Sequence, residues 1–317
     1  MDIRRLEHFI ALIDHKQFNL AATQLKVSQQ AVSKAISKLE EELGVTLFER
    51  SAYGVTPTEH AHILEQHART ILAESRIARS QLNALKTSRH ATIALGVGPS
   101  LTPKLMPAAI NSFRKINPSL GIRAFVDFAP VLQQRLLSGE IDLMVNAPPI
   151  DFKFASDLTV LPLFYEMDML AVRASHPIAK RRTAEIADLL PYTWLAPREN
   201  RSLWQAVCRA YAQADQAPPS DVLITDSEQL KLGLLLDSDF VTIIDTDAMA
   251  QEIATGLVKC IHVEGLTQRR PAVIAHRKRG TLPVAAKTMI TVITRLARQH
   301  VKEKKTLLSW VPTDGGF

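Results

Sequence analysis

One short segment, residues 28–44 with the sequence SQQAVSKAISKLEEELG, limits most narrowly how the first part of the chain can fold. Its apolar residues recur at steps of four, three and four: Val32, Ile36, Leu39 and Leu43. That spacing places them on one stripe of an α-helix. Ser28 is a residue type that caps the start of a helix, and Gly44 a type that ends one. The segment therefore predicts a single amphipathic helix whose polar face carries no acid before Glu40.

The polar face of this helix suits the major groove of DNA. A helix in the groove reads base edges with the amides and hydroxyls of its first turns, whereas its lysines meet phosphates. The candidate DNA-binding residues on it are Ser28, Gln29, Gln30, Ser33, Lys34, Ser37 and Lys38. Two helical patterns precede it, at residues 4–15 and 20–26, so the three segments predict a helix-turn-helix. Spacing alone leaves open a plain helical bundle in which these side chains are solvated.

The next segment, VTLFERSAYGVTPTEHA at residues 45–61, predicts a short strand, a turn and a returning strand. The turn falls at Tyr53 and Gly54. Such a hairpin next to a recognition helix is typical of a wing. Arg50 would then project toward the DNA backbone or the minor groove.

Residues 3–72 resemble the DNA-binding region of the LysR-type transcriptional regulators. The matching strings are LEHFIAL, FNLAATQLKVSQQAVSKAISKLEEELGVTLFER and TPTE. The resemblance implies a winged helix-turn-helix in which Gln29, Ser33 and Lys34 approach bases and phosphates. It also implies that Arg50 holds the wing.

The chain departs from the family pattern at two places. Gln30 stands where proline is usual, which adds an amide able to read adenine. Pro57 replaces a usual leucine, and His60 with Ala61 replaces a usual pair of a small residue and glycine. The residues of the second departure follow the wing directly, so they affect the backbone geometry with which the chain passes from the wing into the next helix.

Residues 58–87 show a long helical pattern with a coiled-coil seam. The seam consists of Leu64, Ala68, Ile71, Ser75, Ala78, Leu82 and Leu85. Because a lone helix about 45 Å long with so thin a stripe is marginal in water, a partner helix is expected. The chain is therefore expected to form a homodimer or homotetramer, the alternative being that this helix packs on its own C-terminal domain. His60 and His62 face different sides of the helix, so no metal site is predicted.

From residue 91 onward, strand patterns alternate with helix patterns, which favours α/β units. Together with the resemblance, this predicts an α/β chain with an N-terminal winged helix-turn-helix, a long linker helix and a two-lobed effector domain like periplasmic binding proteins. The expected bounds are residues 1–58 for the DNA-binding domain, 59–89 for the linker and dimerisation helix, 90–305 for the effector-binding domain and 306–317 for a tail. Lobe I is expected at residues 90–163 and 268–301, and lobe II at residues 164–267.

A ligand of such lobes is expected beyond the carboxyl ends of the strands, where helix N-termini present free amides. The string GVGPSLTPK offers hydroxyls and backbone donors suited to a carboxylate, and LAPRENRS on the facing lobe offers two arginines that could clamp an anion. The candidate effector-binding residues are Gly98, Ser100, Leu101, Thr102, Ala147, Pro148, Pro197, Arg198, Arg201 and Asp226. They predict a small anionic effector such as an organic or aromatic acid. A solvated loop explains the two arginines equally well.

Composition and motifs argue against a membrane protein, a secreted protein and an enzyme. No apolar run approaches the roughly 20 residues of a membrane span. The start of the chain lacks a signal-peptide pattern, and Cys208 and Cys260 lie far apart, so a cytoplasmic setting is expected. G-x-S-x-G, H-E-x-x-H and P-loop strings are absent, so neither an enzyme nor a cofactor is predicted. The net charge of +6 lies mainly in residues 266–317 and does not argue for DNA binding by itself.

The function expected is that of a sequence-specific transcriptional regulator controlled by a small-molecule effector. Its expected partners are double-stranded DNA with an interrupted palindrome, the effector and RNA polymerase. Two alternatives stay open: a regulator of the same family that senses oxidants through its cysteines, and a solute-binding protein that does not bind DNA.

Overall fold

A computed structural model of the 317-residue chain describes residues 2–51, 54–86, 92–150, 152–197, 201–280 and 282–307. None of the helices in these ranges combines the length and the apolar character needed to cross a bilayer.

The N-terminal part consists of four helices and a two-stranded hairpin. These elements are α1 (Ile3–His15), α2 (Phe18–Leu25), α3 (Gln29–Leu43), β1 (Phe48–Ser51), β2 (Gly54–Pro57) and α4 (Glu59–Lys86). The apolar stripe of α3 is buried against α1, with Val32, Ile36 and Leu39 almost fully inaccessible. The ring centroids of Phe9 on α1 and Phe48 on β1 lie 5.6 Å apart, which joins the wing to the same core.

The sequence signals at both ends of α3 operate as expected. Ser28 is the N-cap, and its Oγ accepts a hydrogen bond from the backbone N–H of Ala31 at 3.2 Å. Gly44 ends the helix with φ +69°, a left-handed conformation in which glycine is favoured. Both signals are local, which is why the sequence alone could place this helix.

The C-terminal part is an α/β domain with two lobes. Lobe I contains β3 (Thr92–Val97), α5 (Leu105–Ile116), β4 (Gly121–Val126), α6 (Ala129–Leu137) and β5 (Leu143–Asn146). The chain then continues through β6 (Leu158–Arg173), β7 (Thr183–Ala184), β8 (Trp194–Ala196), α7 (Arg201–Gln213), β9 (Val222–Ile224), α8 (Glu228–Asp237), β10 (Val241–Asp245), α9 (Ala250–Ala254), β11 (Val258–Val263), β12 (Gln268–Arg277) and α10 (Val284–Leu307). Helix α10 returns to lobe I and packs on α5.

Strands β6 and β12 carry the chain between the two lobes. They pair antiparallel from Gln268 opposite Asp168 to Arg277 opposite Leu158, with an irregularity next to Val273. Strand β12 also pairs with β5 in lobe I, whereas β6 also pairs with β10 and β11 in lobe II. Residues in the middle of these two strands therefore lie between the lobes.

Helix α4 connects the two parts of the chain. Arg69 on α4 pairs with Asp14 of α1 at 2.6 Å, and Arg76 donates to the carbonyl of Ser138 at 3.1 Å. Gly139 has φ +74°, and a Cβ there would lie 2.8 Å from the Cα of Ala73. Glycine at position 139 thus permits close packing of lobe I against α4.

The predicted coiled-coil seam of α4 divides into two sections. Ala68 is fully buried in the N-terminal core, and Leu64 packs against that core. By contrast, Ile71 is 36% exposed and Leu82 is 58% exposed. The first section thus packs within its own chain, and the second presents apolar side chains to solvent.

Candidate DNA-binding surface and effector cleft

The predicted DNA-binding residues form one surface at the start of α3. Six are exposed: Ser28, Gln29, Gln30, Lys34, Ser37 and Lys38. Ser33 is half-buried. Arg50 lies in β1, but its side chain is outside the described part of the structure, as are residues 52 and 53 at the wing tip. The surface presents amides, hydroxyls and two ammonium groups and no carboxylate until the far end of the helix.

The glutamates at that far end hold the wing and α1 in place. Glu40 accepts hydrogen bonds from the backbone N–H groups of Leu47, at 2.7 Å, and Phe48, at 3.2 Å. Glu42 pairs with Arg5 of α1 at 2.7 Å. The sequence predicted that acids lie beyond the turns expected to face DNA, but not what these acids contact.

The wing is anchored to the end of α1. The backbone N–H of Val55 donates to the carbonyl of Lys16 at 3.0 Å. Gly54 has φ +133°, and a Cβ there would lie 2.7 Å from the same carbonyl oxygen. The unusual residues after the wing fit this arrangement, since Pro57 ends β2 and Ala61 is fully buried in the core.

A cavity of about 560 Å³ lies between the lobes, which is within the usual size range of small-molecule sites. It is located where β5 and β10 end, at Asn146 and Asp245. Its apolar wall includes Phe128, Pro148, Phe152, Pro197, Leu203 and Ile243. An apolar wall with a few polar groups at one end is the usual composition of a ligand site.

The structure brings only part of the predicted effector set to this cleft. Those on its lining are Ser100, Ala147, Pro148 and Pro197. Four others do not line it: Gly98, Leu101, Thr102 and Asp226. Leu101 belongs to the core of lobe I, and the Thr102 hydroxyl donates to the carbonyl of Pro99 at 2.7 Å. Arg198 is outside the described residues, and Arg201 begins α7 with a side chain that is not described.

Gly98 does not line the cleft, but its lack of a side chain leaves room for the cleft residue Asn146. A Cβ at position 98 would lie 2.2 Å from the side-chain oxygen of Asn146. Asn146 lines the cleft, is 4% exposed, and its amide nitrogen has no hydrogen-bond partner within the described ranges. A buried donor without a partner is costly, so this amide is a candidate ligand contact.

The floor of the cleft is a buried ionic cluster that the sequence did not predict. Arg270 of β12 contacts Asp168 of β6 through two hydrogen bonds, Nε to Oδ2 at 2.5 Å and Nη2 to Oδ1 at 2.8 Å. Its Nη2 also lies 3.4 Å from Asp245 Oδ2, and its Nη1 donates to the carbonyl of Ala147. One guanidinium thus binds both lobes and the neighbouring crossover strand.

Glu166 completes this cluster. Its Oε1 accepts from the Ser100 hydroxyl at 3.0 Å, and its Oε2 lies 3.6 Å from Arg270 Nη2. Burial and the nearby charge of Asp245 raise the pKa of Glu166 well above its usual range. Burial opposes the charge of Arg270, but Asp168 and its neighbouring acids outweigh that effect and raise the pKa of the guanidinium. The cluster therefore holds a permanent cation beside a carboxyl group whose raised pKa favours its protonated form.

A salt bridge and a histidine–carboxylate hydrogen bond flank the cluster. Lys231 of α8 lies on the cleft and pairs with Glu228 at 2.7 Å, and His300 of α10 pairs with Asp247 at 3.0 Å. Oxygens of Glu166, Asp245 and Asp247 lie within 4.8 Å of one another, a spacing compatible with a metal ion. The guanidinium already supplies positive charge to the first two acids, which argues against a resident ion there.

Family models match both parts of the chain. Residues 3–62 match the bacterial regulatory helix-turn-helix protein, lysR family, and residues 86–298 match the LysR substrate binding domain. The chain belongs to the LysR family. It is accordingly a DNA-binding transcription regulator with an effector-binding domain.

Individual LysR relatives match over most of their length. The SDS degradation transcriptional activation protein of Pseudomonas sp. (strain ATCC 19151) is 31% identical over 293 residues, which covers 91% of this chain and 94% of the relative. The HTH-type transcriptional regulator GbpR of Azospirillum brasilense is 31% identical over 252 residues, 79% of this chain and 73% of GbpR. A full-length OxyR variant from Pseudomonas aeruginosa has a similar structure, with a TM-score of 0.56, 24% identity, and coverage of 94% of this chain and 95% of that one. This last likeness concerns the fold.

The two cysteines of this LysR-family chain bear on the redox alternative. Both are free thiols, Cys208 on α7 and Cys260 on β11. Cys260 packs against Met167 and Met169, and burial, with a smaller effect of Asp245, raises the pKa of its thiol to about 12. Because the thiolate is the reactive form, this cysteine is poorly suited to sensing peroxide near neutral pH.

We expect millimolar peroxide to leave DNA binding by this regulator unchanged within about twofold, because Cys260 stays a thiol. The measurement is a gel shift on the same DNA before and after treatment, with the double variant Cys208→Ser and Cys260→Ser as the control. A peroxide-dependent change that disappears in the double variant would favour the redox-sensing alternative.

Proposed function

We propose that this LysR-type regulator binds an interrupted palindrome as a dimer or tetramer and responds to a small acidic effector in its cleft. The observation that carries the DNA-binding part is the surface at the start of α3, where amides, hydroxyls and lysines are exposed together and carboxylates are absent. The protein acts by binding, with no catalytic step, in the cytoplasm where its DNA target lies.

Each residue of the α3 surface has a role in this proposal. Gln29, Gln30 and Ser33 read base edges, because amides and hydroxyls can donate and accept in the major groove. Lys34 and Lys38 neutralise phosphates. Ser28 holds the N-terminus of α3, so its contribution is to set the angle at which α3 enters the groove. Ser37 lies one turn further along, and Arg50 reaches the backbone from the wing.

The exposed section of α4 is the proposed contact between subunits. Ile71 and Leu82 lie a few turns apart on one side of the helix and are open to solvent in the single chain. Pairing two α4 helices would bury them and place two copies of α3 on successive half-sites of the DNA.

The acid group of the effector is proposed to bind between the lobes. Ser100 and the Asn146 amide face it from lobe I, and Lys231 faces it from lobe II. Arg201, at the start of α7, is a further candidate on lobe II. A ligand held from both sides favours a more closed cleft, and closure would change how paired subunits present α3 to DNA or contact RNA polymerase.

The proposal is tested by binding the full-length protein to the DNA upstream of its own gene and to a scrambled duplex of equal length, at fixed salt. We expect the upstream DNA to bind about a thousandfold more tightly, the lower end of the range for specific regulators. We also expect log K to fall linearly with log salt, since lysines displace counterions. Equal affinity for both duplexes would contradict the regulator proposal and favour a solute-binding protein.

A further inference from the structure

We infer that Glu228 competes with the effector inside the cleft: its carboxylate is bound to Lys231, the buried cation of lobe II, until the acid group of the effector replaces it. The inference rests on the proposed function, in which an acid effector binds between the lobes. It adds how this cation is kept paired before the effector binds, and which side chain sets the affinity for the acid.

The first observation is a buried lysine on the wall of the cleft. Lys231 is 6% exposed and lines the cavity of about 560 Å³. Lysine is rarely buried, and no other lysine in the described part of the chain is. An unpaired charge in such a position is strongly destabilising, so this ammonium group needs a carboxylate beside it whether or not a ligand is bound.

The second observation is that the partner of this lysine is a partly exposed acid on the same helix. Lys231 Nζ lies 2.8 Å from Oε1 and 2.7 Å from Oε2 of Glu228, one turn earlier on α8. The lysine side chain is 8% exposed and the glutamate side chain 41%. Glu228 also lines the cleft. Because it already contacts solvent, Glu228 can be hydrated after it leaves the lysine, whereas the lysine stays buried.

The other cations on the described part of the cleft lining do not offer this exchange. Arg270 is held by Asp168 through two hydrogen bonds, and both of these residues are buried. Lys153 is exposed to solvent, so an acid that pairs with it gains little. Among these described residues, Lys231 is the cation that is both buried and paired with an acid able to leave.

The third observation is an unsatisfied donor on the facing lobe. Asn146 is 4% exposed and lines the same cavity, and its amide nitrogen has no hydrogen-bond acceptor within the described ranges. An effector carboxylate supplies that acceptor together with a negative charge for Lys231. The pair of Lys231 with Glu228 lies within one helix and cannot connect the lobes. An acid bound to both Asn146 and Lys231 connects them, so the exchange favours closure of the cleft.

The exchange leaves the charge of the buried site unchanged. Lys231 keeps an anionic partner, and Glu228 stays in the first turn of α8, where the helix dipole favours a negative charge. Only a fraction of the molecules have Lys231 available at any moment, and the apparent affinity for the acid is lowered by this fraction. Removing the Glu228 carboxylate therefore tightens acid binding, whereas loss of a ligand contact would weaken it.

The test compares acid binding by the full-length protein and its Glu228→Gln variant, using calorimetry at one pH and one salt concentration. The probes are benzoate, phenylacetate and hexanoate, each with its primary amide as a neutral analogue. We expect at least one acid to bind the variant more tightly by about tenfold or more, with the affinity for its amide unchanged within about twofold. An acid that binds both proteins equally well would overturn the inference.

The matched control is Asp237→Asn, an exposed position at the end of α8. It removes the same charge from the same helix, outside the cleft lining. This variant should bind each acid as the original protein does. A gain equal to that of Glu228→Gln would assign the effect to net charge and contradict the exchange.

A double-mutant cycle shows whether Glu228 acts through Lys231. Lys231→Met removes the cation and keeps a long side chain, and we expect the acid to bind about tenfold more weakly or worse. In this background Glu228→Gln should change acid affinity by no more than about twofold. Binding by Glu228→Gln that is lost in the double variant supports the exchange. An equal gain in both backgrounds would overturn it.

Two further results separate this inference from the proposed function. Should Glu228→Gln fail to fold, Glu228→Asp, whose shorter side chain draws the carboxylate back from Lys231, is measured with the same expected direction. An acid that binds the original protein but gains nothing in these variants refutes only the exchange. If no acid binds any of the proteins at millimolar concentration, the acid effector itself is contradicted, whereas specific DNA binding by the same preparations would still support the regulator proposal.

Discussion

Replacing Arg270 with glutamine will lower the free energy of unfolding by about 3–5 kcal/mol, as expected when one partner of a buried ion pair is removed. The guanidinium contacts Asp168 with two hydrogen bonds, lies 3.4 Å from Asp245 and donates to the carbonyl of Ala147. Glutamine has neither the charge nor the reach, so Asp168 would lose the buried cation that it contacts with two hydrogen bonds. Chemical denaturation followed by circular dichroism measures the change.

The decrease in the free energy of unfolding caused by Arg270→Gln should depend on pH. Because the pKa of Glu166 is raised in the folded protein, protonation of this carboxyl stabilises the fold at low pH, and that contribution is lost as pH rises toward the folded pKa. Without Arg270 the negative charge at the floor is larger. We therefore expect the variant to be most destabilised in mildly alkaline solution and to regain part of its stability in mildly acidic solution.

The matched control is the neighbouring Arg269→Gln. Arg269 lies on the same strand, and its guanidinium stacks over Tyr165 at 4.9 Å near the surface. Its loss should cost about 1 kcal/mol or less. If Arg270→Gln is no more destabilising than this control, the cluster does not have the energetic role that its burial indicates.

Replacing Gln29 or Ser33 with alanine will lower the affinity for the specific DNA site by about 1–3 kcal/mol for each base that is no longer hydrogen-bonded. In a dimer the substitution affects both recognition helices, so the affinity for the specific DNA site should fall more than tenfold. Affinity for a scrambled duplex should change little, because phosphate contacts supply most non-specific binding. Gel shifts on both duplexes at one salt concentration measure the ratio.

Two control variants on the same helix separate the possible causes. Lys34→Ala should weaken binding to both duplexes and reduce the slope of log K against log salt by about one per recognition helix. Glu41→Ala, an exposed change beyond the DNA-facing turns, should leave the ratio of affinities unchanged. Equal losses on both duplexes for Gln29→Ala would show that this residue does not read bases.

The N-terminal part was predictable because its signals are local. The stripe of α3, its cap at Ser28 and its end at Gly44 depend on residues a few positions apart. The structure confirms the cap, the end and the burial of Val32, Ile36 and Leu39, whereas Leu43 at the end of the stripe is 38% exposed. The strand and helix patterns expected from residue 91 onward begin with β3 (Thr92–Val97), and the long helical pattern at residues 58–87 is α4 (Glu59–Lys86). Periodicity could not show that Leu64 and Ala68 of the expected seam pack within their own chain, since that depends on where α1 lies.

The sequence predicted where the cleft between the lobes lies, but not which charged side chains form its floor. Ser100, Ala147, Pro148 and Pro197 follow strand ends, and such positions meet at one edge of an α/β sheet. One sequence feature could have indicated the ionic cluster at the cleft floor. Two acids stand at alternate positions, 166 and 168, inside the otherwise apolar run LFYEMDMLAV. An acid in the middle of such a strand requires a buried partner, but the sequence does not say which one.

By itself the sequence determined the family and the bounds of the helix that is proposed to face DNA, because these follow from patterns within short windows. Only the tertiary structure decided what the cleft contains. Asp168 and Arg270 are 102 residues apart, and they meet because β6 and β12 pair antiparallel between the lobes. Such pairing is set by the packing of whole strands, and the chemistry of the cleft follows from it.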